Sequence, residues 1–256
     1  MENLVKNKLF LVAGAGGLLG SKLVPALLSQ NAKVIAADIN IDGMVERLKK
    51  TDIDINNSNL IFSELDITNE KSVKDLFSQY EQLDGAVNTT YPRNKKYGKH
   101  FFDVTLESFN ENLTLHLGSA FLFTQQCASY FQNTKRSFSL VNISSIYGMV
   151  APKFDIYNNT TMTMPVEYAA IKSAIQHLNK YVVSYINDSH FRINCVSPGG
   201  IFDHQPESFI QAYKKYTHGA GMLKVDEIIG SILFLLSDQS KYVTGQNIVV
   251  DDGFSL

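Results

Sequence analysis

The chain has almost no cysteine. Only Cys127 and Cys195 occur in 256 residues, each inside a mostly apolar segment. That excludes a disulfide framework, and with no Cys-x-x-Cys or His/Cys spacing it offers no metal-ligand set. Two buried thiols in a reducing compartment are implied, so a cytoplasmic location is expected. An excess of one charge is missing too: 23 Lys and Arg against 25 Asp and Glu leave a net charge of -2. This excludes a global basic field for nucleic acid or an anionic membrane. The short cluster Arg93, Lys95, Lys96 and Lys99 reads as a solvated loop. No apolar run approaches the ~18 residues of a membrane span. Lys6 and Lys8 before Leu9–Leu19 superficially resemble a secretory signal, but Gly14, Gly16 and Gly17 interrupt that run where a strand turns into a helix. Repeats, low-complexity stretches and Pro/Gly-rich linkers are absent, so residues 1–256 are expected to form a single domain.

What is present is an alternation of short apolar runs with longer helical patterns. Strands are predicted at 9–13, 33–37, 59–65, 85–88, 137–143, 191–196 and 247–250, and helices at about 17–30, 42–50, 69–80, 105–131, 166–187 and 225–237. Such alternation predicts βαβ units and an α/β doubly wound parallel sheet of about seven strands, of Rossmann type. Thr68 is expected to cap the third helix and Asp42 the second. Pro25 inside the first helix predicts a kink or an early break.

The first strand runs straight into Gly14-Ala-Gly16-Gly17-Leu-Leu-Gly20 and a helix. Glycines there allow a tight turn and a close backbone approach to a pyrophosphate, and the helix start offers free N–H groups. The second strand ends at Asp38, whose carboxylate suits the two ribose hydroxyls of an adenosine and repels a 2′-phosphate. With no Arg at 37–41, NAD is favoured over NADP. Asp66 can reach an adenine amino group or bond its own turn. Further along, Tyr168 and Lys172 are spaced to share one helix face. An ammonium beside a phenol favours the phenolate, and moving a Tyr from ~10 towards neutral is worth about 4 kcal/mol. The alternative for this pair is a half-buried ring and a solvated amine.

With these pieces in order, the chain resembles the short-chain dehydrogenase/reductase family over nearly its whole length. The resemblance rests on Gly14 to Gly20, Asp38, Asp66, Asn88, Asn112 in Asn110-Glu-Asn-Leu113, Asn142-Ile-Ser-Ser145, Tyr168-x-x-x-Lys172, Pro198-Gly199, and Val243-Thr-Gly245 to Val250-Asp251. It implies a nicotinamide-dependent oxidoreductase acting on a secondary alcohol or ketone. By position, Ser145 would bond the substrate oxygen, Tyr168 would move the hydroxyl proton, Lys172 would bias Tyr168 and bind the nicotinamide ribose, and Asn112 would hold a water linking Lys172 to solvent. Gly14, Gly16, Gly17, Leu19, Gly20, Asp38, Asp66, Ile67, Asn88, Pro198, Gly199 and Ile201, with Tyr168 and Lys172, would contact the cofactor. Outside that resemblance, Ser144 and Ser145 also suit a strand-end turn, and Asn112 a helix irregularity. A homotetramer or homodimer is implied as well.

Four positions depart from the family pattern. Ala13 replaces a Thr, Leu18 replaces a motif Gly, Asn88-Thr-Thr-Tyr91 replaces Asn-Asn-Ala-Gly, and Asp203 replaces a Thr. The stretch between Ser145 and Tyr168 is also longer than the family's, so 149–166 is expected to be a substrate-loop insertion. Its Lys153, Asp155, Tyr157, Asn158, Asn159 and Thr160, with Tyr91, Arg93 and Tyr97, suggest a small hydroxylated substrate, a sugar or sugar derivative, with Arg93, Lys95 or Lys153 on a phosphate or carboxylate. A solvated surface loop is the alternative. Two other functions compete: a non-catalytic dinucleotide-binding sensor, and a cofactor-recycling sugar-nucleotide epimerase or dehydratase. The short stretch after Pro198 argues against the latter, and intact Ser145, Tyr168 and Lys172 against the former.

Overall fold

Each apolar run becomes a strand in the computed structural model, which describes residues 3–51 and 53–256. These are β1 (Leu9–Ala13), β2 (Lys33–Asp38), β3 (Leu60–Glu64), β4 (Gly85–Asn88), β5 (Phe138–Ile143), β6 (Phe191–Pro198) and β7 (Asn247–Val250). All pair in parallel, in the order β3-β2-β1-β4-β5-β6-β7. The helices are α1 (Gly20–Ser29), α2 (Ile41–Lys49), α3 (Glu70–Ser78), α4 (Leu106–Asn112), α5 (Ser119–Thr134), α6 (Val166–Ile186), α7 (Glu207–Lys214) and α8 (Asp226–Leu236).

Strand alternation splits the core into two layers. Phe10, Val12, Val34 and Ala36 meet Leu23, Leu27, Met44, Ile228, Ile232 and Leu235 from α1, α2 and α8. Leu11, Ala13, Ile35 and Ala37 meet Val73, Leu76, Phe77, Phe123, Cys127 and Phe131 from α3 and α5. A strand buried on both faces is apolar over most of its length, which is why these runs lack an alternating pattern. The strand order reverses between β1 and β4, and the crevice at that reversal opens at the carboxyl ends of the strands.

The amino ends are tied down separately. Arg192 of β6 donates from Nη1 to the Leu235 carbonyl (2.9 Å) and the Ser240 hydroxyl (2.9 Å), and from Nη2 to the Ser237 carbonyl (3.2 Å). A buried guanidinium thus satisfies the carbonyls at the C-terminus of α8, where the helix dipole favours a cation.

Several local expectations are corrected. Asn69, not Thr68, caps α3 by accepting from the Ser72 N–H (3.1 Å). Thr68 donates its hydroxyl to Asp66 instead (2.6 Å). Asn40, not Asp42, caps α2 by accepting from the Gly43 N–H (2.9 Å). That helix starts early enough to put Asp42 in its first turn. Pro25 does not end α1, which continues to Ser29. The helix expected over 105–131 is interrupted by a π-helical turn at Leu113–Gly118, and α7 had no counterpart in the sequence reading. Among the described residues, no helix is long and apolar enough to cross a membrane.

Candidate active site

Successive strands deliver their site residues at the same end of the sheet. After β1 the chain turns at Gly14, whose φ of +80° disfavours any side chain. Gly17 N–H donates to the Gly14 carbonyl (3.0 Å), closing the loop. A Cβ on Gly20 would lie 2.7 Å from the Ala15 Cα and nearer still to the Gly14 carbonyl oxygen, so α1 packs against the loop only because Gly20 lacks one. No side chain caps α1, and the N–H groups of Leu18, Leu19 and Gly20 find no acceptor among the described residues. Free donors at a helix start suit an anion.

Asp38 closes the other side of this loop. Its Oδ2 accepts from the Gly16 N–H (2.9 Å) and its Oδ1 from the Asn40 N–H (3.1 Å). Sequence reading overlooked Arg47, which reaches back from α2 to donate to the Gly16 carbonyl (2.9 Å). Its signal was distributed over a helix rather than placed beside Asp38. Asp66 spends its Oδ1 on the N–H and hydroxyl of Thr68 (2.9 and 2.6 Å), as a turn residue does. Asn88 is buried and accepts from the Thr90 N–H (3.1 Å) and hydroxyl (2.7 Å). From Gly14, Gly17, Leu19, Asp38, Asp66 and Ile67, one cleft of about 880 Å³ runs to Tyr168, Pro198, Gly199 and Ile201. At the far end, the Pro198–Ile201 loop is pinned by Gly199 N–H to Val250 O (2.8 Å) and Leu223 N–H to Gly200 O (2.8 Å). The open donors, the terminal carboxylate of β2 and the continuous cleft fit a dinucleotide.

At that end lie Ser145, Tyr168 and Lys172. Ser145 follows β5, and its Oγ accepts from the Tyr147 N–H (3.2 Å). Ser144 turns the other way and donates to the Lys172 carbonyl (2.8 Å), fastening this turn to α6. Tyr168 and Lys172 do share one face of α6, with the ammonium 5.5 Å from the phenol ring centroid. The expected acidification of Tyr168 is not found. Burial raises its pKa, and a hydrogen bond with Ser145 opposes that only in part. Burial also pushes Lys172 down to about 8. Desolvation dominates both shifts because both groups lie away from water.

Asn112, expected to act through a water, makes no direct hydrogen bond to Lys172 among the described residues. Its Oδ1 accepts from the Asn94 N–H (3.0 Å), and its Nδ2 faces the Ser108 carbonyl (3.0 Å) and Glu167 Oε1 (3.3 Å). The amine instead donates to the Ile143 carbonyl (2.8 Å) and faces His116 Nε2 (3.4 Å). His116 was passed over; the signal was its place one helical turn beyond Asn112.

Tyr91 covers this cluster. Its ring meets Tyr168 at 5.7 Å and 83°, and His116 at 5.0 Å and 72°. Its hydroxyl bonds that of Tyr97, and the Arg93 guanidinium lies 4.7 Å from its centroid. The expected polar loop is turned differently. Lys153 packs 4.2 Å from the Tyr216 ring centroid and donates to the Phe254 carbonyl (3.3 Å), away from the cleft. Asp155 is held by the Tyr216 hydroxyl. Tyr157, Met162, Thr163, Met164 and Pro165 line the cleft, whereas Asn158, Asn159 and Thr160 do not. An aromatic wall of Tyr147, Phe209 and Tyr213, largely from the unforeseen α7, lines the same cleft beside Tyr157. The loop folds this way because Ile156 and Tyr157 bury themselves against it.

Comparison with known proteins gives concordant findings. The chain is 38% identical over 260 residues to post-translational flagellin modification protein A of Campylobacter coli, covering 99% of this chain and 100% of that one. A 7alpha-hydroxysteroid dehydrogenase of Bacteroides fragilis is 26% identical, covering 99% and 96%. The crystal structure of a short chain dehydrogenase from Leptospira borgpetersenii with bound NAD+ superposes with a TM-score of 0.84 at 32% identity, covering 98% of this chain and 94% of that one. The family model described as enoyl-(acyl carrier protein) reductase matches residues 14–255, which takes in every element from the glycine turn to the last strand. On fold, match and relatives together, the chain belongs to the short-chain dehydrogenase/reductase family.

Proposed function

We propose that this enzyme oxidises a secondary alcohol, or reduces the corresponding ketone, with Tyr168 as the acid/base. The observation that carries this reading is that Ser145 and Tyr168 meet at one end of the cleft that begins at the glycine turn, with the Lys172 ammonium 5.5 Å from the Tyr168 ring. A bound nicotinamide would accept or supply the hydride. Ser145 donates a hydrogen bond to the substrate oxygen, and Tyr168 gives that oxygen a proton or takes one from it. Lys172, fixed by Ile143 and His116, contributes positive charge and a hydrogen bond for a ribose. Burial keeps Tyr168 protonated, the form that donates to a carbonyl oxygen. Asp38 at the end of β2 supports NAD over NADP, because its carboxylate suits an unsubstituted diol.

For the substrate, the reading is a compact hydroxylated ring, a sugar or sugar derivative. The ring faces and hydroxyls of Tyr91, Tyr97 and Tyr157 beside Tyr168 support it, with Arg93 placed for an anionic group. Relatives described as a flagellin modification protein and as a probable galactose dehydrogenase of Rhizobium meliloti (26% identical) lend further support. Met162, Met164, Phe209 and Met222 line the same space and favour a second reading, a flat apolar ketone such as the hydroxysteroid relative's name suggests. The enzyme is expected to work in the cytoplasm as a homodimer or homotetramer. Tyr181 and Tyr185 on α6, 62% and 76% exposed, support an intersubunit face.

The test is Tyr168→Phe, assayed with NAD against panels of sugars, sugar acids, sugar phosphates and hydroxysteroids. Turnover should fall by about 10²–10⁴-fold while NAD binding persists. Wild-type turnover by the variant refutes the acid/base assignment. Turnover of steroids alone refutes the sugar reading.

A further inference from the structure

Lys172 has one buried side-chain partner that neither spacing nor motif assigned. His116 sits in the π-helical turn Leu113–Gly118 and is 3% exposed. Its Nε2 lies 3.4 Å from the Lys172 amine, which also donates to the Ile143 carbonyl at 2.8 Å. π-Helical turns inside α-helical segments are frequent at functional sites. Here the turn separates two residues a regular helix would stack. Asn112 stays with Asn94 and Glu167, and His116 faces the amine.

We propose that His116 is the positioning residue for Lys172, its neutral imidazole accepting a hydrogen bond from the ammonium and so fixing both its place and its charge. The inference rests on the assignment of Lys172 to the active site made above. An ammonium has only donors, so Nε2 must be the bare nitrogen and the proton must sit on Nδ1. A charged imidazole there would set two cations side by side. Burial, with the charges of Lys172 and Arg93, accordingly holds the His116 pKa down at about 2. Tyr91 then covers His116, with its ring edge-on to the imidazole. The titratable groups around Lys172 are Tyr168 on α6, Tyr91 after β4, Cys195 on β6 and His116; Arg93 faces His116, and Glu167 acts on Tyr91.

The experiment compares His116→Gln, which keeps an acceptor near the position of Nε2, with His116→Leu, which removes it. Lys172 is titrated by NMR in dinucleotide-free protein carrying isotope-labelled lysine, and the alkaline limb of kcat/KM is recorded alongside. An acceptor favours the charged amine, so His116→Leu should lower the Lys172 pKa by about one pH unit and draw the alkaline limb to lower pH. His116→Gln should restore both. An unmoved Lys172 titration in His116→Leu, or an equal displacement in both variants, overturns the proposal. Should His116→Leu fail to fold, the wild-type imidazole ¹⁵N spectrum decides: a proton on Nδ1 with bare Nε2 supports the proposal, and a proton on Nε2 refutes it. Full turnover by Tyr168→Phe would defeat the acid/base reading without altering this titration, so the two failures are separable.

Discussion

Gly20→Ala probes the joint between the glycine loop and the first helix. The added methyl would stand 2.7 Å from the Ala15 Cα and 2.9 Å from the Gly14 carbonyl carbon. Both are backbone atoms, so no side chain can swing aside, and the peptide after Gly14 or the start of α1 must move. Overpacking of this kind costs about 1–3 kcal/mol. For a chain of this size each kcal/mol lowers Tm by roughly 2–4 °C, so a fall of about 2–12 °C is expected. The displaced atoms carry the loop whose free N–H groups face the cleft, so dinucleotide affinity should drop at least about tenfold, equivalent to ~1.4 kcal/mol. Gly230→Ala is the control. It lies in α8, where a methyl group would meet nothing within 4 Å, and the change should stabilise by about 0.5–1 kcal/mol. Differential scanning calorimetry gives the first quantity and isothermal titration with NAD the second. Equal Tm values and equal affinities for wild type and Gly20→Ala would refute the packing argument, whatever Gly230→Ala does.

Two further predictions concern charge. Lys172 titrates at about 8 when folded against a normal 10.5, so between those pH values the unfolded chain binds more protons and wild-type stability gains from rising pH, by up to about 3 kcal/mol. Lys172→Met lacks that gain, so its Tm relative to wild type should decline from pH 7 to pH 10; a constant difference contradicts the burial of a charged amine. The raised tyrosine pKa values act on both proteins alike and cancel in this comparison. Separately, Asp38→Ala should weaken NAD binding and improve the NADP/NAD affinity ratio, because a carboxylate that repels a 2′-phosphate is gone while Arg47 remains beside Gly16. Fluorescence titration with both nucleotides checks it, and an unchanged ratio tells against Asp38 as the discriminator.

The parts legible in the sequence were those dictated by local chemistry. The inner strands are mostly apolar because both their faces are covered, and the two edge strands still stand out between turns, so the strands were found within a residue or two. Gly14 and Gly20 were legible because backbone geometry there admits no substitute. Tyr168 and Lys172 were legible as one helix face because helical spacing fixes it. What failed depended on distant partners. The π-helical turn at Leu113–Gly118 is an irregularity of the kind Asn112 suits, but nothing in residues 105–131 announces that it will bring His116 to the Lys172 amine. The polar loop after Ser145 was read by composition, but orientation was set by Ile156 and Tyr157 seeking an apolar wall, part of it on the unrecognised α7. Phenol acidity was argued from charge alone, whereas burial depth, which tertiary packing sets, dominates it.

The Arg192 anchorage bears on how this scaffold tolerates change. It grips α8 and the residues beyond it from the amino end of β6, while the cleft with Ser145 and Tyr168 opens at the opposite rim. Mutations that reshape the rim leave that clamp untouched. Substrate preference can therefore drift among descendants of this chain without each change having to be rescued by compensating repairs beneath it.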